Sequence, residues 1–384
     1  MQNNPTGTLR EPKEASGFAR GIAFLLALLF VLTLPFALLV FDVWRVVFNP
    51  PLVKAFITDE VVNSDLIPVA LEWFSERRAQ QRVETGEALT GVDEPDIVLL
   101  LSYLNRDDWK AIKSEILTAE FLTHVVSVAV DGTYAWIDST DRVPQITWDL
   151  GPFIGRVNSE HGVNAIQIAY DKLPPCTQEE INDFLARVAA VPPGVEVLYN
   201  LCEFPDPWHD DQFSDYVNAL YQVTENVPRE FALTEELSRR ADQGGVGPDA
   251  IKGQLRLIRL LSSLAWLVPL VLLLLILALV VRSLRTLSRW WGVPFIVAGL
   301  LALLPALTYR LIITNILAVG PLSETPEAII QEATRVILRL ASEIFSPLLI
   351  QAVIILLLGV LLVVWHAVKS KQTAKAATSA PATK

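Results

Sequence analysis

Apolar residues are unevenly distributed along the 384-residue chain. Four runs are long enough for a helix to cross a hydrocarbon core, which takes about 20 predominantly apolar residues. The first, Gly21 to Phe41, carries no charge; the others run from Leu260 to Val281, Trp290 to Tyr309 and Ile344 to Val368. They predict transmembrane helices over 21–43, 256–281, 290–309 and 344–368. Between the first and second lies a polar segment, 44–255, long enough to bury a core of its own. The remaining pieces are a tail (1–20), a connection (282–289), an amphipathic segment (310–343) and a second tail (369–384). The expected fold is an α-helical membrane protein with four transmembrane helices and a mostly α, or α+β, extracytoplasmic domain.

The first run is longer than the about 7–15 residues of a signal-peptide core, and the following DVWRVVFNPP offers no small-residue cleavage site, so a retained anchor is expected. Orientation follows from short flanks, because Lys and Arg near span ends stay cytoplasmic. Arg10, Lys13 and Arg20 precede the first span; Arg282, Arg285 and Arg289 lie between the second and third; Lys369, Lys371, Lys375 and Lys384 follow the fourth. In a four-span arrangement these all fall on one side. Both termini are therefore expected in the cytoplasm and the polar domain outside the cell membrane. Trp44, Trp290, Trp291, Tyr309 and Trp365 sit where an interfacial aromatic belt is expected.

Within the polar segment, Asn49 before Pro50 and Pro51 reads as an N-cap with Pro opening a helix. Ser64 or Asp65 starts the next, in which Ile67, Ala70, Leu71 and Phe74 recur at helical spacing. Further helices are predicted over 95–104, 107–117, 120–136 and 211–223. Thr177 with Glu180 three residues on is a capping box ahead of INDFLARVAA. Alternation over 144–150 and 195–201 predicts short strands. Helical character from Pro248 to Val281 is interrupted only by Gly253 and Pro269, so the second span either continues outward or breaks at Gly253. Residues 326–344 place Ile329, Ile330, Ala333, Val336, Ile337, Leu340 and Ile344 on one face, opposite Gln331, Arg335 and Ser342. The tail from Lys369 is expected to be disordered.

Composition agrees with this division: 52% of residues are hydrophobic and 19% charged, against about 25% in ordinary soluble domains. The net charge of -11 hides a larger separation. From Asp42 to Arg259 there are 36 acidic and 18 basic residues, and the remainder has 6 and 13. Nucleic acid is excluded as a partner that an overall basic charge would recruit; the bilayer, with other envelope or membrane proteins, is the expected partner.

Cys176 and Cys202, the two cysteines, both fall in the polar segment and are expected to form a disulfide, worth about 3–4 kcal/mol in the chain-entropy account. His209, Asp210 and Asp211, with Glu203 and Asp206 upstream, are the densest group of potential metal ligands. They lack an EF-hand or HExxH spacing, and acids before a helix are ordinary N-terminal residues. His124 and His161 have no nucleophile near them in sequence. No GxSxG, Walker A, GxGxxG or zinc-ligand pair occurs, so no catalytic residue, cofactor or metal is predicted. The four spans carry no Asp, Glu, Lys or Arg in their interiors, which disfavours ion-coupled transport.

The order of one span, a large polar segment with PPCT, a helical return, a basic connection before RWWGVP and two more spans resembles uncharacterised bacterial families of multi-pass membrane proteins. That resemblance implies no activity. In topology alone the chain also resembles permease subunits of mechanotransmission ABC systems, which would imply a cytoplasmic ATPase partner meeting residues 281–290. The leading expectation is a non-enzymatic membrane protein whose polar domain binds or senses at the cell envelope; a permease subunit and an envelope enzyme are the alternatives.

Overall fold

The structure, a computed structural model, describes residues 17–85, 100–190, 192, 201–242, 248–280, 284–319 and 327–378. The chain divides into two compact units. One comprises Met1–Asn49, Gln254–Ile316 and Ile337–Lys384; the other comprises Pro50–Gly253 and Leu317–Val336. Among the described residues four helices are long and apolar enough to cross a membrane, as in an α-helical multi-pass membrane protein.

The apolar unit takes in α1 (Gly17–Val47), α12 (Leu267–Val280) and most of α11 (Pro248–Leu264), α13 (Leu284–Val319) and α14 (Glu327–Thr378), whose residues 248–253, 317–319 and 327–336 belong to the polar unit. Several bounds differ from those expected from hydropathy. Helix α1 runs four residues past the predicted end at position 43, to Val47. The second span passes through Gly253, where an added Cβ would meet nothing within 4 Å, and breaks instead at Ala265 and Trp266. Pro269 is the cause: it has no N–H to give the carbonyl four residues back, and its ring crowds that carbonyl. The carbonyl of Ala265 is taken by the Val268 N–H at 3.3 Å. Helix α13 continues ten residues beyond Tyr309, with Arg310 exposed and donating to the Tyr309 hydroxyl at 3.2 Å. The amphipathic segment and fourth span form one helix, α14, which also takes in the start of the tail as far as Thr378. Gln331 and Arg335 are exposed as predicted, but Ile337 is exposed and Ser342 half-buried.

Glycine sets the closest approach in this unit. A Cβ on Gly359 would lie 2.7 Å from the Ile296 backbone N and 2.9 Å from the Gly292 carbonyl oxygen; one on Gly299 would lie 2.9 Å from the Leu356 N. Only a residue without a side chain lets the backbones meet so closely, and small residues are how helices associate in lipid. The contacts pair 292 with 363, 299 with 356 and 309 with 345, so α13 and α14 are antiparallel. Tyr309 and Phe345 stack at 4.5 Å near one end, and Ser288 and His366 meet at 3.3 Å near the other. On another side, Phe30 of α1 packs against Phe295 of α13, and Ile276 of α12 joins the same cluster.

The polar unit is helical with one small sheet. Its helices are α2 (Pro50–Asn63), α3 (Leu66–Thr85), α4 (Arg106–Ile116), α5 (Ala119–Asp138), α6 (Gly151–Val157), α7 (Glu160–Tyr170), α8 (Gln178–Ala190), α9 (His209–Glu225) and α10 (Leu233–Asp242). Strand β1 (Thr147–Asp149) pairs antiparallel with β2 (Glu230–Ala232), and Trp148 stacks on Phe231 across the register at 5.9 Å. The first half of the expected helix over 95–104 and all of the expected strand over 195–201 except Leu201 lie outside the described residues; Leu100 and Leu101 are helical and a turn follows. Helices α4 and α5 bend by 83° at their junction, and together would be apolar enough to count as a broken span. Ion pairs from α4 instead tie it into the polar unit: Lys110 to Asp65 at 2.9 Å, and Asp108 to Lys172 at 2.8 Å.

Caps start and end these helices. Asn105 accepts from the N–H groups of Asp107 and Asp108 while Asp108 accepts from the Asn105 N–H, a reciprocal box that opens α4 one residue before the predicted start. Thr177 and Glu180 form the same arrangement ahead of α8. The end of α2 is closed by a side chain from another helix: the Lys113 ammonium donates to the carbonyls of Val61, Val62 and Ser64 at 2.8–3.2 Å. Burial lowers the pKa of Lys113 from its ordinary value, and three carbonyls replace the water it loses. Lys252 acts likewise at the start of α11, donating to the Asp141 carbonyl at 2.6 Å and lying over the Trp136 ring. The core gathers Leu100, Leu104, Trp109, Ile166, Tyr170 and Tyr216.

Gly359→Val is expected to destabilise the apolar unit by about 1–3 kcal/mol, the range for overpacking, because the new side chain would press on backbone. Gly21→Ala, where a Cβ meets nothing, is expected to be silent. Thermal unfolding of the detergent-solubilised chain measures both.

Candidate functional site

Cys176 and Cys202 are joined in a disulfide with their Cα atoms 4.8 Å apart. Backbone bonds flank the bridge: the Cys176 N–H donates to the Glu203 carbonyl and the Glu203 N–H to the Pro174 carbonyl. Gln212, fully buried on α9, is the polar centre beside it. Its amide nitrogen donates to the Cys202 carbonyl at 2.8 Å, and its oxygen accepts from the Phe204 N–H at 3.1 Å and the Tyr170 hydroxyl at 2.7 Å. His209 stands edge-on to the Tyr170 ring at 5.2 Å, with its nitrogens 3.2 Å from Asp210 and 3.7 Å from Glu203. Asp210 and Asp211 lie in the first turn of α9, where acids complement the helix dipole. Among the described residues no group of three His, Cys, Asp or Glu side chains is placed to hold a metal.

His161 and Glu115, 46 positions apart, meet at 2.6 Å between Nδ1 and Oε2. Arg156 approaches the same ring nitrogen at 3.4 Å and donates to the Glu115 carbonyl. This cluster pins the end of α4 to α6 and α7. The Ser159 hydroxyl in this cluster accepts from the His161 backbone N–H and donates to the Arg156 carbonyl, so it serves as the cap of α7. His124 is exposed on α5.

A cleft of about 660 Å³ lies between α2 and α5. Lys54, Thr58, Asp59 and Asn63 line it from α2, and Thr123, Ser127 and Asp131 from α5. Helical spacing sets both rows. Lys54 and Asp131 form an ion pair at 2.6 Å across it, and Asn63 donates to Asp59 at 2.7 Å. The cleft offers a cation, two carboxylates, an amide and three hydroxyls.

Asp42, which bounds the first apolar run, lies inside α1 rather than at its end. Its side chain is fully buried within α1 and accepts a hydrogen bond from the amide of Gln351 on α14 at 3.1 Å. Hydropathy ended the first apolar run at this residue because it cannot register that a neighbouring helix covers it. Gln351, a carboxamide within the fourth run, was the available sign that some polar partner must face it. Asp42 Oδ2 and Gln351 Oε1 have no hydrogen-bond partner among the described residues.

The Glu115 carboxyl is held below its ordinary value of 4.5, first by the hydrogen bond from His161, then by Asn164 and the nearby positive charges. A depressed carboxyl contributes stability that is complete above the ordinary value and lost as pH falls through it towards the folded pKa. The difference in melting temperature between wild type and Glu115→Gln is therefore expected to be largest near neutral pH and to shrink below about pH 4.5, as read by thermal scans across pH. Comparison of the chain with protein-family models, with curated proteins and with solved structures finds no match in any of the three.

Proposed function

We propose that this is a non-enzymatic multi-pass protein of the cell membrane, with both termini cytoplasmic and the acidic unit outside, where the cleft between α2 and α5 binds a polar component of the envelope. The observation that supports this best is the division into a polar, acidic unit and a unit containing four span-length helices. Basic residues flank those spans at the N-terminal tail, the 282–289 connection and the C-terminal tail. An even number of spans puts all three on one side, the side that retains Lys and Arg.

The cleft favours binding over catalysis. Its groups are of mixed sign and hydrogen-bonding type, suited to a ligand bearing both donors and acceptors. Part of that capacity is already used internally by the Lys54–Asp131 pair, so a ligand must compete with it, which favours a partner with a carboxylate or phosphate for Lys54 and a donor for Asp131. The histidine clusters serve as links between helices.

Two measurements test the reading. A membrane-impermeant maleimide added to intact cells is expected to label Ser214→Cys and to leave Lys369→Cys unlabelled until permeabilisation; the reverse pattern would overturn the orientation. A photo-crosslinking residue at Thr123 or Ser127 is expected to capture an envelope component, less so when combined with Asp131→Ala. If those positions yield no adduct beyond that from the exposed Leu185, binding at the cleft is excluded.

A further inference from the structure

The apolar unit holds a cavity of about 570 Å³, within the range of about 300–1,000 Å³ common for small-molecule sites. Phe30, Leu34 and Phe41 from α1, Leu270 from α12, Phe295 from α13 and Ile355 from α14 give it a hydrocarbon and aromatic wall. Trp266 and Pro269, at the break between α11 and α12, also line it. The carboxamide among the lining residues is Gln351, the residue that holds Asp42.

After the bond from Gln351 Nε2 to Asp42 Oδ1, two buried acceptors remain open, Asp42 Oδ2 and Gln351 Oε1. A buried polar atom left unsatisfied costs about 1–3 kcal/mol, more when charged. Both open atoms are oxygens of the kind that accept, so the missing partner is a donor. Of these two residues Gln351 lines the cavity and Asp42 is its buried partner, and an apolar wall with one carboxamide short of a donor is complementary to an amphiphile.

We propose that this cavity binds a membrane amphiphile: a hydrocarbon chain lies against the wall, and a hydrogen-bond-donating head, a hydroxyl or an ammonium, meets Gln351, the hydrogen-bond partner of Asp42. The site rests on the apolar unit being in the bilayer and is independent of what the cleft between α2 and α5 binds. It differs from passive lipid contact in requiring a donor at the head.

The test uses the full chain in phosphatidylcholine vesicles, whose headgroup has no N–H or O–H donor, with photoreactive hexadecanol, hexadecylamine and hexadecane as probes. The alcohol or the amine is expected to crosslink to cavity residues about tenfold more than the alkane, the equivalent of one hydrogen bond to a polar or charged group. Excess unlabelled hexadecanol is expected to compete. A stronger amine signal assigns a cationic head and a stronger alcohol signal a neutral one; both support the shared chemistry. Leu34→Trp, which fills the cavity, is expected to suppress all three probes, and Gln351→Leu to remove the preference over the alkane. Equal labelling by all three probes in the wild type, or labelling that unlabelled hexadecanol does not displace, overturns the proposal, and this comparison holds even where a variant fails to fold.

Discussion

A helical peptide group in hydrocarbon finds its backbone hydrogen bond within its own helix, and four helices of this chain are long and apolar enough for that constraint to organise them. It fits the long helices into which the runs fold, although Pro35, Pro294, Pro305 and Pro347 inside them each withhold one backbone donor. It also fits the place of the break between α11 and α12: the carbonyl of Ala265, four residues before Pro269, loses its donor there and a shorter bond takes over. With backbone polarity satisfied within each helix, association depends on contact, and the glycines of α13 and α14 bring their backbones together. The same constraint makes Asp42 conspicuous, since a side-chain carboxyl has no helix to satisfy it.

In the polar unit the balance is different, because water competes for every group and short helices need explicit ends. Lys113 closes α2 from α4, and Lys252 holds α11 to the segment after α5. Both are cations satisfied by backbone carbonyls, so each fixes two distant pieces of chain while removing orphan acceptors. The unit is acidic by composition, and several of its acids are used locally: Asp108 in a cap and an ion pair, Glu115 with His161, Glu180 in a cap.

Much of the fold was legible because its signals are local. The four apolar runs, Pro50 at a helix start and the Thr177–Glu180 box depend on neighbours a few positions away. Helices α6, α7 and α10 have no counterpart in the sequence reading: α6 is only seven residues long with Gly151 and Pro152 at its start, too short to show a helical period. Strand β2 was missed because three residues carry too little pattern, and it forms through pairing with β1, some 80 positions earlier. The continuity of α14 was hidden by its change from amphipathic to wholly apolar, which hydropathy reads as a boundary and the backbone does not. Of the site residues, the cysteines were visible by count, whereas the Asp42–Gln351 contact, 309 positions apart, had only its separate halves in the sequence.

The surroundings of the disulfide bear on where its stabilisation resides. The Cys202 carbonyl and Phe204 N–H are both bound by Gln212, and Glu203 makes backbone bonds to the segment around Pro174 and Cys176. In the folded chain these bonds already hold the two strands of sequence together, so the sulfur bridge adds little to their alignment. Its larger effect falls on the unfolded chain, where it closes a loop between residues 26 apart and removes extended conformations. The cross-link therefore acts less as a clamp on the native geometry than as a restriction on the alternatives, and the buried amide of Gln212 is what keeps that geometry in register.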